Sequence, residues 1–180
     1  MASVMRRTAP PKAWLAWSSG KDSTFALIEV LRLGLAEIVG VLTTVSERDA
    51  RVSMHGVRLA LLERQVAALG LSSLMVTLPS PCSNEVYDEC MACAIDRIKA
   101  DGIRHLGFGD LFLAAVRAYR EERLAAGGMR GIFPLWGRNT AELAREVIAK
   151  GFVAHLVTVD PRRLERSLAG AKFDDRLLAA

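Results

Sequence analysis

Short apolar runs alternate with segments of helical periodicity along most of the chain. Residues 13–17 (AWLAW) and 37–44 (EIVGVLTT) have the length and composition of buried strands, and each is followed by a helical pattern. Further strand-like runs begin shortly after Gly34, Gly70, Gly102 and Gly127, and residues 152–159 (FVAHLVTV) follow Gly151 directly. Because glycine commonly ends helices, these positions predict where helices stop and strands begin.

Helix starts and helix faces fit the same pattern. Leu59, Leu62, Val66 and Leu69 recur at steps of three and four, which places them on one face of a helix that ends before Gly70. Asn139 and Glu142 have the spacing of a capping box, and Asp160 followed by Pro161 predicts a further helix start.

Six strands and about six helices in alternation predict parallel pairing through right-handed crossovers. We therefore expect an α/β protein, a three-layer α/β/α doubly wound parallel sheet with helices on both faces. Residues 13–180 are predicted to form one domain, and residues 1–12 a loose N-terminal segment. Ligands of such sheets bind beyond the carboxyl ends of the strands, so the residues that follow each strand are the ones to inspect.

Composition narrows the class of protein. The chain has 180 residues, 51% of them hydrophobic and 24% charged, which is typical of one globular domain. The net charge is +4, but the 19 arginines and five lysines are scattered, so nucleic-acid binding is not expected as the main function. No apolar stretch is long enough for a membrane span, and three cysteines give no disulfide framework, which together predict a cytoplasmic protein.

The loop after the first predicted strand carries the clearest chemistry. Residues 18–23 read SSGKDS, between a strand and a helix. Small residues let backbone N–H groups turn inward, the helix amino end adds partial positive charge, and Lys21 adds a full one, so the loop suits a polyphosphate. A Walker motif is excluded because Asp22 follows Lys21 and because Leu15 stands five residues before Gly20.

SSGKDS resembles the SGGxDS pyrophosphate loop of the N-type ATP pyrophosphatases, with Ser19 in place of the second glycine. The rest of the chain is similar to the diphthine–ammonia ligase family, an ATP-binding PP-loop family, over residues 13–178. The stretches that carry this resemblance are SMHGVR (53–58), SNEVYDE (83–89), GFGDLFLAAVRAYREERL (107–124), FPLWGRNTAEL (133–143) and GFVAHLVTVD (151–160).

The resemblance implies a Rossmann-like fold of the HUP type, the adenine nucleotide alpha-hydrolase-like group. It also implies an ATP-dependent, AMP-forming carbon–nitrogen ligase with Mg²⁺, in which a carboxylate acceptor is adenylated, pyrophosphate leaves and ammonia displaces AMP. The acceptor is either a protein side chain or a small molecule, and a homodimer is compatible with the sequence. Ser18, Ser19, Gly20, Lys21, Asp22 and Ser23, together with Thr43 and Thr44, are the implied ATP-binding residues.

Further residues are assigned through the same resemblance. Lys21, Asp110, Arg117 and Glu121 are the candidate catalytic residues, with Asp110 also a candidate Mg²⁺ ligand. The candidate substrate-binding residues are His55, Gly109, Trp136 and Arg138.

Structural roles compete with these assignments. Asp110 would serve equally well as the N-cap of a helix that begins near Leu111. Arg117 and Glu121 fit a solvated, salt-bridged helix face, and Trp136 fits a core position. His105 and His155 fall inside strand-like runs and are expected to be packed.

Two other function classes stay open. Cys90 and Cys93 form a CxxC, as in thiolase-like enzymes that modify tRNA, but their spacing matches one apolar helix face, where both cysteines would be packed. In the ligase family a GENGEFH-like segment usually follows the region that matches residues 168–180. None of the 180 residues matches that motif, so a non-catalytic adenine-nucleotide-binding module is the other alternative.

Overall fold

The computed structural model describes residues 9–53 and 55–179. The strands in this part of the chain are β1 (Lys12–Ala16), β2 (Glu37–Ser46), β3 (Arg51–Val52), β4 (Ser72–Leu78), β5 (His105–Gly107) and β6 (Arg130–Ile132). The helices are α1 (Lys21–Leu33), α2 (Leu59–Leu69), α3 (Asn84–Ala100), α4 (Ala114–Ala126), α5 (Thr140–Ala149) and the single turn α6 (Asp175–Leu178).

Five parallel strands form the sheet in the order β4-β2-β1-β5-β6. Residues 40–42 of β2 pair with β1 and with β4 at once, so these two strands lie on opposite edges of β2. The chain therefore winds outward from β1 in one direction and then in the other, with the switch point between β1 and β5. This order confirms the doubly wound α/β prediction and places the ligand crevice at the ends of β1 and β5.

Helices cover both faces of the sheet, which gives three layers. On one face, α1, α2 and α5 pack against a core around Leu15, Phe25 and Leu62. On the other face, α3 and α4 pack against a core around Ile98 and Leu106. No helix within the described residues is long and apolar enough to cross a membrane.

Several helix ends agree with the sequence pattern. Gly34 and Gly70 end α1 and α2 in the left-handed conformation, with φ of 62° and 65°. The Asn139 side chain accepts hydrogen bonds from the backbone N–H groups of Ala141 and Glu142 and caps α5. The predicted face of α2 is also confirmed, because Leu62 and Val66 are buried.

A short hairpin was not predicted. β3 pairs antiparallel with Val45 and Ser46 of β2, on the same edge as β1, because β4 occupies the other edge there. The backbone N–H of Trp17 donates to the Leu42 carbonyl at 2.7 Å, and that of Ser53 donates to the Thr44 carbonyl at 2.9 Å. β3 thus continues the line of β1 along β2, just beyond the loop after β1.

The prediction of a strand over residues 152–159 is wrong. This segment makes an isolated bridge between His155 and Lys172, and the sheet ends at β6. The apolar residues of the segment alternate in exposure, and Val153 and Val157 face solvent because no neighbouring strand covers them. His155 is exposed rather than packed, whereas His105 lies half-buried in β5.

The helix predicted after Asp160 is also wrong. The Asp160 side chain does accept a hydrogen bond from the backbone N–H of Arg162, but the chain makes one turn there and then a single 3-10 turn at Arg166–Leu168. A cap and a proline were present without an apolar face that could be buried, and helices in proteins depend mostly on that burial.

The predicted boundaries shift by one or two residues. β1 begins at Lys12, and the backbone N–H of Glu37 donates to the Pro11 carbonyl, so residues 11 and 12 belong to the folded domain rather than to a loose segment. Residues 1–8 of that predicted segment lie outside the described part. β2 runs to Ser46, beyond the predicted end at residue 44, because the hairpin with β3 extends it.

One contact fixes how β1 lies beside β2. The indole ring of Trp14 covers Gly40, and a Cβ at position 40 would lie only 2.7 Å from the ring. The two strands change register next to this contact, between Ala13 and Trp14.

Candidate functional site

The loop between β1 and α1 has an unusual backbone conformation at Ser19. Its φ of 62° lies in the left-handed region, which glycine adopts far more readily than serine. The Ser19 hydroxyl oxygen is buried and has no hydrogen-bond partner among the residues that the structure describes. Buried polar groups nearly always have a partner, so this hydroxyl is available to a ligand of the loop.

The other hydroxyls of the loop form hydrogen bonds within the loop. Ser23 is buried, and its Oγ donates to the Gly20 carbonyl at 2.9 Å and accepts from Ser18 Oγ at 3.3 Å. Thr24 Oγ1 also donates to the Gly20 carbonyl, at 3.0 Å. Of the three serines predicted to bind phosphate, Ser19 therefore has the free hydroxyl, while Ser18 and Ser23 hold the shape of the loop.

The amino end of α1 is open to an anion. Gly20 is its N-cap, and within the described part of the chain no side chain caps the helix. The first backbone N–H groups of a helix carry partial positive charge and attract phosphate when they have no other partner. Lys21 Nζ lies 2.6 Å from Asp22 Oδ1, and both side chains are about one-third exposed, so the ammonium group stays at the surface of this end.

Gly109 brings the neighbouring strand end against this helix. A Cβ at position 109 would lie 2.8 Å from the carbonyl oxygen of Asp22 and 3.0 Å from the backbone nitrogen of Ser23. Only a residue without a side chain allows this approach. The end of β5 and the phosphate loop thus form one continuous rim at the switch point.

Asp110 lies next on this rim, and its partner is Arg120. Arg120 Nε is 2.9 Å from Asp110 Oδ2, and the pair is held by charge rather than by an aligned hydrogen bond. Burial raises the pKa of the Asp110 carboxyl above its ordinary value, while the charge of Arg120 opposes the rise. The alternative role of Asp110 as an N-cap is wrong, because α4 begins at Ala114 and its N-cap is Leu113.

Arg117 and Arg120 stack on aromatic rings along the same edge. The Arg117 guanidinium lies 4.6 Å from the centre of the Phe133 ring and 4.7 Å from that of Trp136. Phe133 stacks on Phe108 at 5.3 Å, and Arg120 lies 4.5 Å from the Phe108 ring. These side chains contact one another in the order Arg120, Phe108, Phe133, Arg117 and Trp136, and we call this stack the rim ladder.

The rim ladder decides between the roles predicted for its members. Trp136 is half-buried and packs on Arg117 instead of entering the core. Arg117 Nε also donates to Glu121 Oε1 at 2.8 Å, so this pair is an i, i+4 ion pair on α4 with one member fixed on the rings. The ion-paired helix face that competed with the site assignment is therefore present, and Arg117 in addition stacks on the rings of Phe133 and Trp136.

His55 and the two threonines belong to the β2–β3 hairpin and to β2. His55 is exposed in the turn after β3, which continues the line of β1 beyond the loop. Thr43 is buried, and its Oγ1 donates to the Trp17 carbonyl at 2.7 Å, so its hydroxyl anchors the residue that precedes the loop. The Thr44 carbonyl accepts from Ser53. Both threonines lie inside β2 rather than at its end.

Arg138 is not brought to the loop. One of its guanidinium nitrogens is 3.6 Å from Glu29 Oε2, and the other contacts Glu146. Glu29 lies about two turns along α1 from the loop. Its buried carboxylate also accepts two hydrogen bonds from Arg32, and these bonds lower its pKa despite the burial.

The cysteines differ from the prediction. Cys90 is half-buried and packs on the core beneath α3, but Cys93 is exposed. The two side chains therefore do not share one buried face, because three residues turn a helix by about 300° and leave Cys93 at the solvent edge.

Sequence reasoning left Arg120, Phe108 and Phe133 out of the site. Arg120 stands in the same RAYRE stretch as Arg117 and Glu121, three residues from Arg117, which is one helical turn. Phe108 and Phe133 each lie at the carboxyl end of a strand. Their positions were visible in the pattern, but apolar side chains there are indistinguishable from core residues until the neighbouring loops are placed.

The described residues could hold Mg²⁺ only together with phosphate oxygens as further ligands. Within residues 9–53 and 55–179, no group of three His, Cys, Asp or Glu side chains could hold a metal. Mg²⁺ is commonly bound by one or two carboxylates together with phosphate oxygens and water, and Asp110 on the rim could supply one carboxylate.

Comparison with known proteins supports a family assignment. A solved structure described as the predicted subunit of tRNA methyltransferase from Methanocaldococcus jannaschii DSM has 15% sequence identity and a TM-score of 0.53, covering 83% of this chain and 80% of that chain. At this identity the likeness shows the Rossmann-like fold alone. None of the curated proteins matches the chain.

A family model described as the diphthamide synthase N-terminal domain matches residues 11–130. Since this match spans more than half of the chain, the protein belongs to the diphthamide synthase N-terminal domain family, a PP-loop ATP pyrophosphatase family whose members generally bind ATP.

Proposed function

We propose that this protein is a cytoplasmic, ATP-dependent amide ligase that forms AMP. A carboxylate acceptor is adenylated with release of pyrophosphate, and ammonia then displaces AMP. The observation that carries the proposal is the open anion site at the loop, where the uncapped end of α1 and the unpartnered Ser19 hydroxyl occur beside Lys21. Family membership supplies the ATP pyrophosphatase chemistry.

Bond changes balance in two steps. A carboxylate oxygen of the acceptor attacks the α-phosphorus of ATP, and the bond from that phosphorus to the pyrophosphate oxygen breaks. The nitrogen of ammonia then attacks the acyl carbon, the bond from this carbon to the AMP oxygen breaks, and the nitrogen loses one proton. Neither step needs a nucleophile from the protein.

Each part of the rim has a role in this proposal. The backbone N–H groups at the start of α1, Ser19 Oγ and Lys21 stabilise the charge that develops on the leaving pyrophosphate, and preorganised donors of this kind supply a large share of catalysis. Asp110 would hold Mg²⁺, which would supply neutralisation of the phosphate charge. Arg117 and Glu121 on α4, together with Trp136, would contact the acyl-adenylate at the rim.

A product assay tests the proposal. Purified protein is incubated with ATP, Mg²⁺, ammonium and a pool of metabolite carboxylates, and AMP is separated from ADP. We expect AMP with an equal amount of pyrophosphate, and loss of both in Lys21→Ala. Lys12→Ala is the matched control, because it removes an exposed lysine from the opposite end of β1. Formation of ADP, or equal activity of the two variants, would contradict the proposal.

One observation favours a second candidate function. Asp110 is already neutralised by Arg120, which is unfavourable for a metal ligand and compatible with a module that binds adenine nucleotides without turnover. In that case equilibrium dialysis would show that ATP binds, and no acceptor would cause its consumption.

A further inference from the structure

A cavity of about 320 Å³ opens beside the phosphate loop, between the amino ends of α1 and α5. Both helices follow parallel strands, so both begin at the carboxyl rim of the sheet. The cavity starts at Lys21 and Asp22 and follows α5 for about two turns, from Thr140 to Val147. It therefore opens at the charged rim and runs along α5.

The lining has a charged end and an apolar end. Seven of the ten residues that line the cavity are apolar, and Leu143, Ala144 and Val147 form its wall on α5. Phe173 of the C-terminal segment also lines the cavity, and Lys21 Nζ lies 5.6 Å from the centre of its ring. Lys21 and Asp22, which form an ion pair, are the charged side chains among the ten lining residues.

We infer that this cavity receives the acceptor, and that the acceptor is a small carboxylic acid with an apolar body. This inference rests on the proposed function. The apolar body contacts the wall of α5 and the ring of Phe173, while the carboxylate remains at the rim, within reach of an ATP bound at the phosphate loop. The volume suits roughly ten non-hydrogen atoms, since a water molecule in the liquid occupies ~30 Å³. It also falls at the lower end of the range for small-molecule sites.

A series of straight-chain carboxylic acids from two to twelve carbons tests the inference in two ways. Direct binding of each acid is measured by calorimetry, and AMP formation is measured with ATP, Mg²⁺ and ammonium. We expect affinity to rise about fourfold per added methylene until the cavity is filled, because each buried CH₂ contributes ~0.8 kcal/mol. The KM of the acid should fall in parallel. An affinity that does not change with chain length would overturn the inference.

Two variants change the size of the cavity in opposite directions. Ala144→Phe fills it and should shift the optimum to shorter acids, whereas Phe173→Ala enlarges it and should shift the optimum to longer ones. Ala149→Phe is the control, because residue 149 is exposed at the far end of the same helix. An unchanged optimum in a folded Phe173→Ala protein would contradict the inference even if Ala144→Phe fails to fold.

The two readouts separate this inference from the proposed function. AMP formation that is insensitive to chain length and to both cavity variants overturns the cavity assignment and supports the ligase. Binding that depends on chain length without any AMP formation supports the cavity and contradicts the ligase.

Discussion

Arg120 Nε lies 2.9 Å from Asp110 Oδ2, although the two residues are separated by the loop after β5 and most of two turns of α4. The Asp110 side chain is only 18% exposed. Its carboxyl is therefore subject to two opposed effects, since burial raises its pKa and the guanidinium lowers it, with burial the larger effect.

The pKa of Asp110 is expected to lie above the ordinary value of 3.8 and to rise further in Arg120→Met, because the opposing charge is lost. A raised pKa in the folded state means that the native protein binds the proton more tightly. The contribution of Asp110 to stability is then fully present below pH ~3.8 and is lost as the pH rises through the folded pKa. NMR titration of the side-chain carboxyl carbon measures this value. A pKa below 3.8, or no change in Arg120→Met, would contradict the expectation.

Ser19 should make the loop less stable than a glycine would. We compare Ser19→Gly with Ser19→Ala, since both remove the hydroxyl and only alanine keeps a Cβ at a φ of 62°. The glycine variant should be more stable than the alanine variant by about 1 kcal/mol, or about 2–4 °C in Tm for a domain of this size. Thermal unfolding measures the difference, and equal stability of the two variants would show that the left-handed conformation is not retained.

Gly109→Ala should weaken ATP binding as well as the fold. The added methyl group would meet the backbone of Asp22 and Ser23 and displace the start of α1. Overpacking of this kind costs about 1–3 kcal/mol, and a displaced anion site should lose about tenfold in ATP affinity. Gly127→Ala is the control, because its Cβ would meet the nearest atom at 3.4 Å in ordinary contact. Equal ATP affinity of the two variants would refute the close approach as a requirement of the site.

Glu29 should stabilise the protein at neutral pH and lose that effect in acid. Its pKa is lowered, mainly by hydrogen bonds from Arg32, so its contribution is present above the ordinary value of 4.5 and is lost as the pH falls below it. Glu29→Gln should cost about 1–3 kcal/mol at pH 7 and much less at pH 3. Urea unfolding at both pH values measures this, with exposed Glu37→Gln as the control. A cost that does not depend on pH would point to packing rather than charge.

The parallel sheet was predictable because its strands are buried on both faces and therefore appear as continuous apolar runs. The loop at residues 18–23 was predictable for a related reason, since a phosphate site needs small residues and a cation at fixed spacing. The antiparallel strand β3 has two residues, Arg51 and Val52, which is too short for any periodicity. The error at residues 152–159 has the opposite cause, because an apolar pattern of strand length occurs there without a partner strand.

Side-chain partners were the least predictable part of the site. Arg138 and Arg117 were both assigned to the site through the same resemblance. Arg138 nevertheless contacts Glu29 and Glu146, whereas Arg117 stacks on Phe133 and Trp136. Which partner an arginine takes depends on how α1, α4 and α5 are placed around the sheet. The local sequence around each arginine does not determine the distances between these helices.

The contact between Trp14 and Gly40 couples the substitutions that these two positions can accept. A side chain at position 40 and the indole at position 14 compete for the same space, since a single Cβ would already lie 2.7 Å from the ring. A change at position 40 alone is therefore harmful, and the same change becomes acceptable once position 14 has become smaller. Variants of this protein should accordingly accumulate the two substitutions in a fixed order, first at residue 14 and then at residue 40.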